Sequence, residues 1–96
     1  MKGQREVDAL IRKLGGYWTP FEMLAALVEE VGELADAMLA FEGVKGEAEM
    51  AMVEEEIGDV LFALACIANH YGVDLERALI GSVEKYGERD SPPGTP

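Results

Sequence analysis

The sequence predicts an all-α fold: one four-helix domain whose core is completed by homo-oligomerisation. Three observations lead there. Apolar residues recur every three or four positions through segments bounded by glycine and proline, the spacing of amphipathic helices. No alternating strand pattern, internal repeat or glycine-rich phosphate loop intervenes. The stretch Val60 to Ala68 is apolar on every side, so a helix there must be buried all round, which 96 residues can hardly achieve alone. A homodimer or homotetramer sharing one core is the simplest arrangement that covers it. Residues 1–90 are expected to form a single domain, and 91–96, rich in proline, a disordered C-terminal tail.

The first helix is expected over about Gln4 to Leu14, with Val7, Leu10, Ile11 and Leu14 on one stripe and Gly15-Gly16 as its stop. Tyr17 and Trp18 follow in a connector. They either plug a core edge or, in the case of Trp18, line a pocket and stack on a flat ligand such as a nucleobase. Thr19-Pro20-Phe21-Glu22 starts the second helix, with Thr at the N-cap, Pro at the first position and Glu placed to complete a capping box. Leu24, Leu27, Val28, Val31, Leu34, Ala35 and Met38 carry it to about Glu42.

Gly43-Val44-Lys45-Gly46 breaks the pattern, and a third helix is expected from near Glu47 until Asn69, His70 and Tyr71 close it before Gly72. Asp74 caps a fourth helix, Leu75 to about Tyr86, expected to turn Leu75, Ala78, Leu79 and Val83 inward. Gly32 and Gly58 fall mid-helix, each at a cost of roughly 1 kcal/mol relative to Ala, which suggests close backbone approach there.

Composition narrows the function. A formal charge of −11 argues against a nucleic-acid polymer as partner, because phosphate backbones demand clustered Lys and Arg. A small phosphate ligand stays open if a metal brings the countercharge. The first residues lack a signal-peptide core and the longest apolar run is too short for a bilayer, so no membrane role and a cytoplasmic location are expected. The single cysteine, Cys66, sits in that apolar run and reads as a core residue.

The chemistry is concentrated in two acidic stretches, Glu29-Glu30-Val31-Gly32-Glu33 and Glu54-Glu55-Glu56-Ile57-Gly58-Asp59. Residues three apart share a helix face, about 60° apart around the axis and roughly 5 Å apart along it. Glu30 with Glu33, and Glu56 with Asp59, therefore form two acidic pairs. On antiparallel helices the pairs can face each other, and four converging carboxylates repel unless a cation lies between them. Such runs are often merely solvated. Here, however, each stripe continues into small and apolar residues, Ala26 and Ala37 on one helix and Met52, Ala63 and Cys66 on the other, as it would where another helix approaches. Oxygen-only ligands point to Mg²⁺ first and Mn²⁺ second, with positions left for water and phosphate.

With these motifs go Leu27-Val28 before the first, Val60-Leu61-Phe62 after the second, and then Asn69-x-x-Gly72-Val73-Asp74-Leu75-Glu76-x-Ala78-Leu79. In this combination the chain resembles the MazG-type all-α nucleoside triphosphate pyrophosphohydrolases over about Gly16 to Asp90. The resemblance implies Mg²⁺-dependent cleavage of a nucleoside triphosphate between the α and β phosphates, in the sense of nucleotide-pool house-cleaning. It makes Glu30, Glu33, Glu56 and Asp59 metal ligands. It also gives Glu29 a place beside Glu30 in catalysis, ligating a further metal or orienting the attacking water. Lys85 and Arg89 resemble a basic segment near the triphosphate, although Ser82 and Tyr86 stand where many relatives carry Lys and Asn. The plainer role of Lys85 and Arg89 is to stabilise a helix C-terminus. Asn69 resembles a residue contacting sugar or base, and is equally an ordinary helix-end cap.

His70, the only histidine, reads as a helix-end residue rather than a catalytic base. A different class of function is a non-catalytic helical dimer, a binding or regulatory module with an acidic metal-binding seam. A di-iron bundle is disfavoured because neither motif contains Glu-x-x-His.

Overall fold

The computed structural model describes residues 2–90 and contains four helices: α1 (Lys2–Lys13), α2 (Pro20–Phe41), α3 (Met50–Tyr71) and α4 (Leu75–Asp90). The tail expected at 91–96 lies outside the described residues. Among those described, no helix is long and apolar enough to cross a membrane.

The start of α2 follows from its first residues. Thr19 adopts an extended backbone, its Oγ1 accepts from the Glu22 N–H, and the Glu22 side chain accepts in return from the Thr19 N–H at 3.1 Å. Pro20 then supplies a preset φ where no N–H is needed. α3 begins later than expected, at Met50 instead of near Glu47. Gly43 and Gly46 take left-handed backbone, φ +74° and +76°, and Glu49 remains extended as a cap without a side-chain hydrogen bond, so the connector uses the residues up to 49. α3 ends at Gly72 in the left-handed region, with the Val73 N–H closing back onto the Ala68 carbonyl at 2.8 Å.

α2 and α3 pack along each other and α1 lies on α3. The buried apolar residues are Met23, Ala37, Ala65, Cys66 and Ala68, all but Met23 small. α1 is fastened by a polar contact. Gln4, only 7% exposed, donates from Nε2 to Asn69 Oδ1 at 2.9 Å and to the Val73 carbonyl at 2.6 Å, while its Oε1 accepts from the Leu75 N–H at 2.9 Å. Asn69 answers by donating to the Gln4 carbonyl at 3.1 Å. One glutamine thus joins the start of α1, the end of α3 and the start of α4.

α4 does not turn its apolar residues inward within the protomer: Leu79 is 63% exposed and Val83 59%, and only Leu75 and Ser82 are half-buried. The left-handed turn at Gly72 directs α4 away from the α2–α3 pair, where no apolar groove of the same chain awaits it. Gly32 and Gly58 are not sites of close approach either, since a Cβ added at either would meet no neighbouring residue within 4 Å. The apolar half of α3 is likewise covered on one side only, with Leu61 half-exposed.

Candidate functional site

The acidic motifs occupy the middle of α2 and α3, away from fraying ends. One carboxylate oxygen from each of Glu30, Glu33 and Glu56 lies within 4.8 Å of the others. Oxygen ligands at about 2.1–2.6 Å from a divalent ion stand up to about 5 Å apart, so this spacing suits a shared cation. Asp59 stands outside that tightest group, yet its charge acts on both Glu30 and Glu56. Glu29 is exposed on α2 and does not belong to the cluster.

Glu33 and Asp59 are exposed, whereas Glu30 and Glu56 are half-buried. Burial pushes the Glu30 carboxyl above the usual range, and the neighbouring charges of Glu33, Asp59 and Glu56 push it further. Glu56 is raised in the same way, first by burial and then by Glu33, Asp59 and Glu55. The Oε2 atoms of Glu30 and Glu56 are both buried and neither has a hydrogen-bond partner. Buried polar atoms are normally satisfied, so two orphaned anionic oxygens facing one cluster are what a divalent cation would satisfy. The donor set, all carboxylate oxygen, fits a hard ion.

The acids flank two clefts. The first, about 350 Å³, is lined by Ile11, Gly16, Tyr17, Trp18, Met23, Ala26, Glu30, Asp59, Phe62, Ala63 and Cys66. Its walls are apolar and aromatic, and its carboxylates sit at one end. Trp18 is 64% exposed at this cleft, so it lines a pocket instead of plugging the core. Tyr17 donates its hydroxyl to Asp8 Oδ1 of α1, and Asp8 also receives Arg12 Nε at 3.0 Å. Those bonds hold the Asp8 carboxyl below its usual range, the Tyr17 bond being the stronger cause. Cys66 is buried at the cleft floor, and that burial pushes its thiol up, as befits a core residue. The second cleft lies on the opposite flank, lined by Glu33, Asp36, Ala37, Ala40, Lys45, Ala48, Met52 and Glu56.

Asn69 is engaged with Gln4 and borders a separate cleft with Arg5 and Asp74, not the one lined by Trp18. Lys85 and Arg89 both lie over the Tyr86 ring, 4.7 and 4.6 Å from its centroid, and Arg89 pairs with Asp90 at 3.0 Å. They lie on α4, which packs little on the acidic helices of its own chain, and they line neither acid-bearing cleft. His70 is exposed at the end of α3 with its ring edge-on to Tyr71. Sequence reasoning missed Gln4, whose partners are 65 or more positions away, and Lys45. The signal available for Lys45 was its place as the only basic residue between Glu30 and Asp59.

Carboxylates clustered between two long helices, with an aromatic cleft beside them, define an all-α protein with the oxygen donor set for a cation next to a cleft. Comparison with known proteins gives that class a family. The chain belongs to the MazG nucleotide pyrophosphohydrolase domain family, whose sequence model matches residues 18–92. It is 42% identical over 91 residues to YpjD of Bacillus subtilis, covering 91% of this chain and 82% of that protein. It is 36% identical over 89 residues to the nucleoside triphosphate pyrophosphohydrolase of Escherichia coli, covering 93% of this chain but only 32% of that longer protein. Among solved structures, the Bacillus-conserved MazG protein, a nucleotide pyrophosphohydrolase, superposes with a TM-score of 0.79 at 42% identity, covering 94% of this chain and 90% of the other.

Proposed function

We propose that this protein is a Mg²⁺-dependent hydrolase that converts a nucleoside triphosphate, ribo or deoxy, to the monophosphate and pyrophosphate. The observation that carries the reading is the pair of buried, unpartnered carboxylate oxygens, one on Glu30 of α2 and one on Glu56 of α3, in residues whose carboxylates cluster with that of Glu33. Glu30, Glu33, Glu56 and Asp59 would hold the metal, with Mn²⁺ as a substitute. When bound, the ion neutralises phosphate charge and acidifies a water.

The protein's own residues account for the rest. In hydrolysis, water oxygen bonds to the α-phosphorus, the bond from that phosphorus to the α–β bridging oxygen breaks, and pyrophosphate leaves with the electron pair. A carboxylate takes the proton released by the water. Glu30 belongs to this machinery through its raised proton affinity and its place in the cluster. Glu29, exposed beside it, orients the water or holds a further ion. The first cleft takes the base against Trp18. Lys85 and Arg89 would assist the triphosphate from an α4 docked in a homodimer or homotetramer, which would also cover Leu79, Ile80 and Val83. Asn69, bonded to Gln4 and within reach of the Tyr17 hydroxyl, would contact sugar or base with the hydrogen-bonding capacity that Gln4 leaves free. A cytoplasmic role in clearing surplus or non-standard nucleotides fits such a reaction.

The test is a panel of ribo- and deoxynucleoside triphosphates with Mg²⁺ or Mn²⁺, assayed for pyrophosphate and monophosphate, with a chelator control. Release of both products that stops on chelation is expected. Failure with every substrate and both metals would leave a binding or regulatory helical module.

A further inference from the structure

The acids converge on one cluster, but its two ends open onto different clefts. Glu30 and Asp59 open onto the apolar cleft with Trp18, whereas Glu33 and Glu56 open onto the cleft on the other flank, the one that holds Lys45. The aromatic cleft joins Met23, Ala26 and Glu30 of α2 to Asp59, Phe62 and Cys66 of α3, and the other joins Glu33, Asp36 and Ala40 to Met52 and Glu56, so the helices run antiparallel and the acidic seam leads from the aromatic end towards the α2–α3 connector. We propose that the triphosphate lies along this seam with a fixed polarity, base at Trp18 and departing pyrophosphate at Lys45, and that Lys45 is the cation that binds the pyrophosphate half. This rests on the pyrophosphohydrolase reading above.

Charge and presentation support the assignment. A triphosphate laid over acidic groups needs positive charge at its outer phosphates beyond what the ion supplies. Neither acid-bearing cleft is lined by any other Lys or Arg among the described residues. The connector presents this lysine on a defined turn: Gly43 and Gly46 supply left-handed backbone, and the N–H groups of Val44 and Lys45 return to the Leu39 carbonyl at 2.9 and 3.3 Å. Lys45 Nζ rests 3.8 Å from Asp36 Oδ1, a solvent-exposed pair that contributes little and is readily exchanged for phosphate. The aromatic cleft, by contrast, carries no positive side chain and suits the base.

The polarity separates the two products. Wild type, Lys45→Met and Lys45→Arg are titrated calorimetrically with magnesium pyrophosphate and with nucleoside monophosphate, and assayed for KM and kcat. Lys45→Met is expected to weaken pyrophosphate binding about tenfold, the loss typical of one charge-assisted contact, and to raise KM similarly. Monophosphate binding should stay within about twofold, and Lys45→Arg should restore the pyrophosphate contact. Equal weakening of both products, or of neither, overturns the inference, and selective loss of monophosphate reverses the polarity. Pyrophosphate release by wild type with Lys45→Met indistinguishable from it sinks this inference alone. Wild type that releases no pyrophosphate and binds neither product sinks the functional reading with it.

Discussion

Two polar clusters are enclosed between helices of this small protein, and they are resolved in opposite ways. Between α1 and α3, Gln4 and Asn69 give and receive four hydrogen bonds, and every element involved is tied to the next. Between α2 and α3, the Oε2 atoms of Glu30 and Glu56 are enclosed with no partner, and each carboxyl is raised by burial and by the others' charge. A self-satisfied cluster serves the fold. A cluster left electrostatically incomplete costs stability until a cation completes it, the role proposed above for Mg²⁺. Satisfaction, more than burial or residue type, is what separates the two clusters.

The sharpest way to break that contrast is to neutralise the incomplete cluster. Glu30→Gln or Asp59→Asn should lower pyrophosphate release at least about a hundredfold while helix content by circular dichroism stays unchanged. Full-rate hydrolysis by either variant would place the chemistry elsewhere. Glu30→Gln should at the same time raise the metal-free Tm, because a repelling charge is gone, and should abolish the further rise that Mg²⁺ gives to wild type.

The satisfied cluster should respond the other way. Gln4→Leu takes the glutamine partner from Asn69 Oδ1, the Val73 carbonyl and the Leu75 N–H and should cost about 2 kcal/mol in a denaturant melt, with Mg²⁺ affinity by calorimetry little changed. A large loss of metal affinity would mean that the two clusters are not independent.

The smallest effects are in pH. The Asp8 carboxyl is lowered by Tyr17 and Arg12, so its contribution is present above the ordinary Asp value of about 3.9 and lost as pH falls through the lowered one. Glu30 and Glu56 are raised, so they bind more protons folded than unfolded, and metal-free stability should fall as pH climbs from the ordinary Glu value, about 4.3, through the raised ones. Asp8→Asn should flatten the acid-side loss and Glu30→Gln the loss on rising pH. Coincident pH profiles for both variants and wild type would contradict these assignments.

How much of this could be read from the sequence depended on the reach of each signal. The start of α2 is a local matter of Thr19, Pro20 and Glu22, and the expected boundary matches. The acidic pairs are equally local on each helix, and the structure brings Glu30, Glu33 and Glu56 together with Asp59 close enough to feel them. What could not be read was long-range. Gln4 looks like any polar residue near a helix start until α3 and α4 arrive beside it. The apolar stripe of α4 signalled burial but not by what, and within one chain it stays exposed. Glu47 and Glu49 suit a helix start by composition, yet the left-handed turn at Gly46 delays it to Met50.

The position of Trp18 has a practical consequence. It is the chain's only indole, it stands at the rim of the aromatic cleft, and the capping box beginning at the very next residue fixes its backbone to a rigid rod. Intrinsic fluorescence excited at the indole band therefore carries no background from elsewhere in the molecule, and quenching or a shift in emission would report arrival of a planar ring without any label.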